Sequence, residues 1–322
     1  MSDKPTILVT RKLPQAVEDR LSRDFTPRFN TDDTQYSDEQ IIELADGCDG
    51  IVACHSEHFD RAQFEKLPNS VKILAAFSVG IDWIDLDAAK DNNVVVTNTP
   101  DVLNDATAEI AILCMLGAAR RASEGERMVR AGKWNCWSPA FMVGTQVTGK
   151  TLGVIGMGRV GGIVAKRAKY GFDMNIRYSN RSKLSPGRED GAIYHASVED
   201  LLPHCDFLSL NCPATPETID LMNAERIALL PDGAVLVNTA RGAVVDEDAL
   251  VNALKSGKLA AAGLDVYKEE PGINPKIAEL DNTFLMPHIG SSTFETRDAM
   301  GSLALDNLDA FFAAKELPSR VA

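Results

Sequence analysis

The stretch TLGVIGMGRVGGIVAKRA, residues 151–168, joins a short apolar run to a glycine-rich turn and then to a helix-like pattern. Its glycines, Gly156, Gly158 and Gly161, have the spacing GxGxxG. In this spacing the first glycine permits a tight turn, the second lets the backbone approach a pyrophosphate, and the third allows close packing of helix on strand. We therefore expect a dinucleotide phosphate at the N-terminus of the following helix, where free N–H groups point outward. A tight strand-to-helix turn without a ligand is the alternative.

Short apolar runs alternate with longer amphipathic stretches on both sides of this motif. The first series of runs lies at residues 6–9, 50–54, 73–77 and 94–97, with a helix near 16–22. The second series lies at residues 151–155, 174–178, 207–210, 234–238, 261–265 and 283–286. Strands that alternate with helices predict parallel sheets covered on both faces, and 322 residues are enough for two such domains. The predicted fold class is therefore α/β with two domains.

Two further segments are predicted to be helical. Residues 107–125 are apolar on nearly all sides, which indicates burial in a domain or subunit interface, and we favour a subunit contact. Residues 291–312 follow the last apolar run without starting another sheet, so this helix is expected to fold back on the first domain.

Composition narrows the class of partner. The chain is 45% hydrophobic and 25% charged, as in globular proteins, and its formal net charge is −13. Nucleic acids and anionic membranes need a cationic protein face, so neither is an expected partner. Six scattered cysteines without a CxxC pair indicate a reducing compartment, and MSDKPTILVT lacks the h-region of a signal peptide. We expect a cytoplasmic protein.

The end of the next predicted strand bears on the choice of cofactor. NAD-specific sites usually place a carboxylate there for the ribose hydroxyls. This chain has Tyr178, Ser179, Asn180, Arg181 and Ser182 instead. No acid repels a 2′-phosphate, and Arg181 with its polar neighbours offers it charge-assisted hydrogen bonds, so NADP(H) is the preferred cofactor and NAD(H) the second. A solvated turn with an incidental arginine is the alternative.

Three polar residues follow separate predicted strands in the second half of the chain: Arg241, Glu270 and His288. Ligands of open parallel sheets bind at the carboxyl ends of strands, so all three can face one site. A guanidinium holds a carboxylate with two hydrogen bonds. A histidine near neutrality suits proton transfer, and a carboxylate on its far nitrogen orients the ring. A surface ion pair, a solvated loop acid and a buried structural histidine are the respective alternatives.

No metal site is predicted, because the remaining histidines have no ligand spacing with cysteines or carboxylates. These histidines are His55, His58, His195 and His204. In the first domain, Val79 and Gly80 follow a predicted strand, and their N–H groups are suited to a substrate carboxylate. An ordinary glycine turn fits this segment equally well.

Seven segments together resemble the D-isomer-specific 2-hydroxyacid dehydrogenase family, and they occur in the family's order over nearly the whole chain. They are AAFSVGIDWIDLDAA, TPDVLNDATAEIAI, GVIGMGRVG, LSLNCPATPET, VNTARGAVVDEDAL, GLDVYKEEP and PHIGSS. The resemblance implies a flavodoxin-like substrate domain from both chain ends, 1–100 and 291–322, with a Rossmann dinucleotide-binding domain, 101–290, inserted between them. It also implies a homodimer with a dimerisation arm near 105–145.

The resemblance also implies roles for individual residues. Arg241 binds the substrate's carboxylate and carbonyl, His288 is the acid–base, Glu270 supports His288, and Val79 and Gly80 donate main-chain hydrogen bonds. The implied cofactor-binding set is Thr107, Gly156, Met157, Gly158, Arg159, Val160, Gly161, Ser179, Asn180, Arg181, Ser182, Cys212, Pro213, Thr218, Thr239, Ala240, Arg241, Asp265, His288 and Gly290.

Within the family, ARRASEGERMVRAGKW followed by NCWSP is most similar to glycerate dehydrogenases and glyoxylate/hydroxypyruvate reductases. The expected reaction is NADPH-dependent reduction of glyoxylate or hydroxypyruvate. Trp137 resembles a tryptophan that reaches the partner's substrate site, and plain packing at an interface is equally compatible. Two alternatives stay open: a dehydrogenase for another D-2-hydroxy acid, and a dinucleotide-sensing, corepressor-like binding protein without turnover. The physiological acid, the direction in vivo and the strictness of NADP over NAD are not decided by the sequence.

Overall fold

The computed structural model describes residues 4–322, and the chain divides into two compact units. Unit 1 takes Met1–Leu103 and Ser292–Ala322, and unit 2 takes Asn104–Ser291. The strands are β1 Thr6–Val9, β2 Thr26–Phe29, β3 Gly50–Ala53, β4 Ile73–Ala76, β5 Val95–Thr97, β6 Thr151–Ile155, β7 Asn175–Ser179, β8 Ile193–His195, β9 Phe207–Leu210, β10 Ala234–Asn238, β11 Leu259–Leu264 and β12 Thr283–Leu285. The helices are α1 Gln15–Asp24, α2 Asp38–Leu44, α3 Arg61–Lys66, α4 Leu86–Asp91, α5 Asn104–Ala119, α6 Ala122–Arg130, α7 Arg159–Phe172, α8 Pro186–Glu189, α9 Val198–Leu201, α10 Ala224–Leu229, α11 Glu247–Ser256, α12 Pro275–Ala278 and α13 Phe294–Phe312.

Unit 1 contains a five-stranded parallel sheet in the order β2-β1-β3-β4-β5, the flavodoxin-like order. The strands β3 and β4 are buried at every position, which explains their uninterrupted apolar sequence. The helix α13 packs on α1 and β4, and Gly301 makes this approach possible, because a Cβ there would lie 2.2 Å from Val17 Cγ2. Both ends of the chain therefore build this unit.

Unit 2 contains a seven-stranded parallel sheet in the order β12-β11-β10-β9-β6-β7-β8. Counted from β6, this is the Rossmann order 3-2-1-4-5-6 with a seventh strand added at the edge. The glycine motif joins β6 to α7 at the centre of the sheet, beside the point where the strand order reverses. The predicted α/β fold class with two parallel-sheet domains is confirmed.

The predicted helix 107–125 is two helices. The helix α5 ends at Ala119, and α6 begins at Ala122 after Arg121, which has a left-handed φ of +53°. The apolar faces of α5 pack on α7, β10 and β11 within unit 2, where a Cβ on Gly263 would lie 2.4 Å from Cys114 O. Much of the all-round apolar character therefore comes from contact with α7 and with the sheet of the same unit, and the predicted subunit contact stays a prediction. Neither α5 nor any other helix among residues 4–322 has the length and apolarity to cross a bilayer.

Candidate active site

The glycine turn between β6 and α7 leaves its backbone open to a ligand. Gly156 has φ +88°, and a Cβ there would lie 2.8 Å from the backbone of Asn211, so a side chain is excluded. A Cβ on Gly161 would lie 2.3 Å from Gly156 O, which shows how closely α7 approaches the turn. Gly158 caps α7, and a Cβ on it would meet nothing within 4 Å. The open backbone at Gly158 and the N-terminus of α7 fit a bound phosphate.

The loop after β7 is tied to the glycine turn through Asn180. Its Oδ1 accepts a hydrogen bond of 2.7 Å from Met157 N, which fixes the side chain. Ser179 is buried, whereas Arg181 and Ser182 are exposed. Of the four residues predicted to bind a 2′-phosphate, Arg181 and Ser182 thus present their side chains to solvent, and Asn180 shapes the loop.

Glu217, which the sequence analysis did not single out, lies near this loop. Its pKa is lowered first by the hydrogen bond of 2.7 Å from Thr215 Oγ1, then by its own main-chain N–H, and more weakly by the positive charge of Arg181. Arg181 therefore has an acidic neighbour on the loop that follows β9.

Two buried polar atoms at the carboxyl ends of β9 and β10 have no hydrogen-bond partner among residues 4–322: Asn211 Oδ1 and Thr239 Oγ1. Buried polar groups in proteins are nearly always hydrogen-bonded, so such atoms mark positions where a ligand's polar groups fit. Thr239 was predicted as a cofactor residue, and Asn211 was not. The only sequence signal for Asn211 is an asparagine placed directly after a strand.

The remaining predicted cofactor residues lie on the same edge of the unit 2 sheet. Thr218 Oγ1 donates a hydrogen bond of 2.6 Å to Pro213 O and closes the loop after β9. Cys212, beside this loop, is buried, and burial raises the pKa of its thiol to about 11. Arg159 and Val160 form the first turn of α7, and Ala240 follows Thr239 directly.

Glu270 and His288 form a hydrogen-bonded pair. His288 Nδ1 lies 2.5 Å from Glu270 Oε2, and the other carboxylate oxygen accepts a hydrogen bond of 2.7 Å from Tyr267 N. Tyr267 in turn donates through its hydroxyl to Met286 O at 2.9 Å, so one residue links the loops that carry both members of the pair. The side chains of His288 and Glu270 are 29% and 23% exposed, which leaves the ring accessible to a small molecule.

Asp265 lies beneath this pair. It is 1% exposed, and its Oδ1 accepts a hydrogen bond of 2.8 Å from Ile289 N, next to His288 in the chain. Burial raises the pKa of Asp265, and its hydrogen bonds to main-chain N–H groups oppose this shift. A Cβ on Gly290 would lie 3.3 Å from Asp265 Oδ2 and 3.4 Å from Thr107 Oγ1, so Thr107, Asp265 and Gly290 lie together beside His288.

His288 has φ +53°, a left-handed backbone conformation that is uncommon for residues other than glycine. The Ile289 N–H bond to Asp265 and the Nδ1 bond to Glu270 hold the backbone and the ring of this segment. One hydrogen bond thus holds the ring, and another holds the backbone that follows it.

Arg241 lies in the loop after β10, and this loop packs on the loop that carries Glu270. Asn238 Nδ2 donates a hydrogen bond of 2.9 Å to Arg241 O, and Arg241 Nη1 donates to Ala240 O at 2.8 Å. A Cβ on Gly242 would lie 1.8 Å from Tyr267 C, so only glycine permits this approach. The structure therefore brings the backbone of the Arg241 loop against the residue that holds Glu270.

In unit 1, Val79 and Gly80 follow β4 and are half-buried. Their main-chain N–H groups donate to no acceptor among residues 4–322. For metals, neither unit taken alone brings together three histidine, cysteine or carboxylate side chains among those residues at ligand distance.

Large apolar side chains are exposed along the segment from α5 to the start of β6. They are Leu113, Val129, Trp134, Trp137 and Val143. Trp137 is 78% exposed, the largest exposed fraction of the five, and Trp134 Nε1 donates a hydrogen bond of 2.9 Å to Cys136 O. In the single chain Trp137 presents most of its ring to solvent, and its predicted contact with a partner's substrate site stays a prediction.

Comparison with known proteins gives consistent matches. Residues 112–290 match the model for the NAD-binding domain of D-isomer specific 2-hydroxyacid dehydrogenases. A glycerate dehydrogenase from Hyphomicrobium methylovorum is 41% identical over 98% of both chains, and a glyoxylate reductase from Pyrococcus horikoshii is 41% identical over 99% of this chain and 96% of its own. Among solved structures, an NADPH-dependent glyoxylate/hydroxypyruvate reductase from Sinorhizobium meliloti, in complex with NADP and malonate, matches with TM-score 0.87 and 32% identity over 99% of this chain and 97% of its own.

Proposed function

Because the chain belongs to the D-isomer specific 2-hydroxyacid dehydrogenase family, we propose that it reduces glyoxylate and hydroxypyruvate to glycolate and D-glycerate with NADPH. The hydrogen bond between Glu270 and His288 is the observation that carries this proposal, because it supplies an oriented acid for the reaction. A different D-2-hydroxy acid as the physiological substrate is the alternative within the same chemistry.

We assign His288 as the proton donor to the substrate's carbonyl oxygen. Its Nδ1–H donates to the carboxylate of Glu270, so Nε2 is the ring nitrogen that transfers the proton. The hydrogen bond fixes the ring plane. Glu270 acts through His288 and is therefore a positioning residue.

We assign the substrate's carboxylate to Arg241 and to the main-chain N–H groups of Val79 and Gly80. A guanidinium matches a carboxylate with two parallel hydrogen bonds, and an ammonium does not. Arg241→Lys should therefore raise the KM for glyoxylate by about tenfold or more, since a hydrogen bond between charged groups contributes about 1.5–3 kcal/mol.

The residues of unit 2 fit a nicotinamide dinucleotide. The open backbone at Gly158 and the N-terminus of α7 suit the pyrophosphate, and the unpartnered Thr239 Oγ1 and Asn211 Oδ1 offer sites for polar groups. When bound in its reduced form, this cofactor supplies the hydride for the carbonyl carbon. The preference for NADP rests on the exposed Arg181 and Ser182 and on the lack of an acid at 178–182. A relative was solved with NADP, which supports this preference.

We further propose a cytoplasmic homodimer. The exposed apolar residues between 113 and 143 suit contact with a second copy of the chain, because such a surface is unfavourable in water. Trp137, the most exposed of them, would be buried against the partner. In this proposal unit 1 is the substrate domain and unit 2 the cofactor domain.

The proposal is tested by following oxidation of NADPH and NADH with glyoxylate, hydroxypyruvate and pyruvate. We expect the highest kcat/KM with NADPH and one of the first two acids. Full turnover in His288→Ala would refute the assigned acid. Tight NADPH binding without turnover of any 2-oxo acid would refute the enzyme and favour a dinucleotide-sensing binding protein.

A further inference from the structure

In the loop that follows β4, hydrogen bonds from unit 1 hold the main-chain carbonyl groups, so the N–H groups of the same peptide units point to the opposite side. Thr99 N donates a hydrogen bond of 2.9 Å to Ser78 O, and Asn98 Nδ2 donates one of 3.0 Å to Val79 O. Gly80 O accepts from Ser78 Oγ at 2.7 Å and from Trp83 Nε1 at 2.9 Å. All three successive carbonyl oxygens therefore have donors from unit 1 itself.

The N–H groups of two of these peptide units make no hydrogen bond within the described residues. The N–H groups of Val79 and Gly80 have no acceptor among residues 4–322, and both residues are half-buried. Successive main-chain N–H groups in a turn form a concave site for an anion. The direction of these N–H groups follows from the direction of the carbonyl groups, because each peptide unit is planar.

Asn98 is itself held by the C-terminal segment of the chain. Its main-chain N donates to Ser319 O at 3.2 Å, and its main-chain O accepts from Ser319 Oγ at 2.5 Å. Ser319 N donates to Asn307 Oδ1 at 3.1 Å, and Asn307 Nδ2 donates to Ser319 Oγ at 2.8 Å. Asn307 lies on α13 and is fully buried.

These bonds form one continuous chain from α13 through the C-terminal segment to the loop at Val79. We propose that Asn98, held by Ser319 and Asn307, is a positioning residue for the carboxylate-binding N–H groups of Val79 and Gly80: its Nδ2 bonds Val79 O and so sets the direction of the peptide unit that carries Gly80 N–H. The inference rests on the proposed function, in which these N–H groups bind the substrate's carboxylate. It gives the last residues of the chain a role in substrate affinity without any contact with substrate.

The direct test is Asn98→Asp, which keeps the shape of the side chain and replaces the donor to Val79 O with an acceptor. The matched control is Asn92→Asp, because Asn92 is also half-buried in unit 1 and donates through Nδ2 to a main-chain oxygen, Ala88 O, at 2.9 Å. We expect the KM for glyoxylate to rise about tenfold in Asn98→Asp, the factor that corresponds to about 1.4 kcal/mol. In Asn98→Asp the Kd for NADPH should stay within about twofold of the wild-type value. In Asn92→Asp the kcat and the KM for glyoxylate should do the same.

A pH series separates this role from a general loss of stability. When the new carboxyl group is protonated it can again donate to Val79 O, so the ratio of KM in Asn98→Asp to KM in wild type should fall as pH is lowered from about 8 to about 5. A wild-type KM in Asn98→Asp, or a ratio that does not change with pH, would overturn the proposal.

A second variant, Ser319→Ala, tests whether Ser319 keeps the loop in place, by a measurement that does not depend on enzyme activity. Amide hydrogen exchange at Asn98 and Thr99 should become faster, because their N–H groups bond Ser319 O and Ser78 O. Ser22→Ala, which removes a hydroxyl bonded to Glu18 O on α1, should leave that exchange unchanged. If wild type turns over no 2-oxo acid, the proposed function fails by itself. The exchange result then decides the positioning role, and unchanged exchange in Ser319→Ala overturns it.

Discussion

The Glu270–His288 pair and the loop 179–182 lie in the same unit but are fixed to different degrees. Tyr267 N donates a hydrogen bond to Glu270, and Ile289 N, next to His288 in the chain, donates one to the buried Asp265, so both residues of the pair are fixed. The loop is anchored at Asn180, while Arg181 and Ser182 extend into solvent. The proposed chemistry therefore depends on a rigid arrangement, and the proposed cofactor preference on exposed side chains. We expect changes at the pair to reduce turnover strongly and changes at the loop to alter binding moderately.

The largest effect is expected for His288→Ala. Loss of a general acid typically costs about 10²–10⁴ in rate, so kcat for glyoxylate reduction should fall by that factor while the Kd for NADPH changes little. Steady-state assays and fluorescence titration measure the two quantities. His58→Ala, at an exposed histidine of unit 1, is the control and should retain wild-type kcat.

Glu270→Gln should have the next largest effect. The amide removes the negative charge beside Nδ1 and offers a poorer partner for the ring, so kcat should fall by about tenfold or more, as expected for loss of a charge-assisted hydrogen bond. The neighbouring exposed Glu269→Gln is the control. Equal kcat values for these two variants would show that the pair has no part in the reaction.

Arg181→Ala tests the second region of the comparison, the loop 179–182. The Kd for NADPH should rise about tenfold, because one charge-assisted contact with the 2′-phosphate is lost, and the Kd for NADH should not change. Lys183→Ala, two residues further on, controls for the general loss of positive charge. An equal rise in Kd for both cofactors would show that Arg181 does not discriminate between them.

The smallest effect is expected from the edge strand β8, which pairs with β7 beside this loop. Burial and the charges of Arg177 and His204 lower the pKa of His195. The unfolded state then binds more protons than the folded state, so the stability from this group is complete above about pH 6.5 and declines as pH falls. Wild type should have a lower Tm at about pH 5.5 than at about pH 7.5, and His195→Gln should narrow this difference. An unchanged difference in Tm in His195→Gln would exclude His195 as a cause of the pH dependence.

The regions that the sequence predicted best are the buried central strands. Strands such as β3 and β4 are apolar throughout because both faces are covered. The edge strands β2 and β8 were missed, because TPRF and IYH are short and mix polar with apolar residues. These edge strands are partly exposed to solvent, so their sequences lack the uninterrupted apolar run that predicts a buried strand.

The site could be predicted in part for a related reason. Residues at strand ends with distinctive chemistry, such as Arg241, Glu270 and His288, could be chosen from the sequence together with the family resemblance. Asn98 and Asn211 could not, because an asparagine after a strand is common and its partners come from distant segments. The break between α5 and α6 was also missed, since Arg121 has no sequence feature of a left-handed residue.

The most direct measurement is a crystal structure of the protein with NADP⁺ and oxalate, which resembles glyoxylate but cannot be reduced. We predict that His288 Nε2 lies about 3 Å from an oxalate oxygen, within hydrogen-bond distance, while Nδ1 remains bonded to Glu270. An imidazole turned away from oxalate, or oxalate bound without His288, would contradict the assignment of the proton donor.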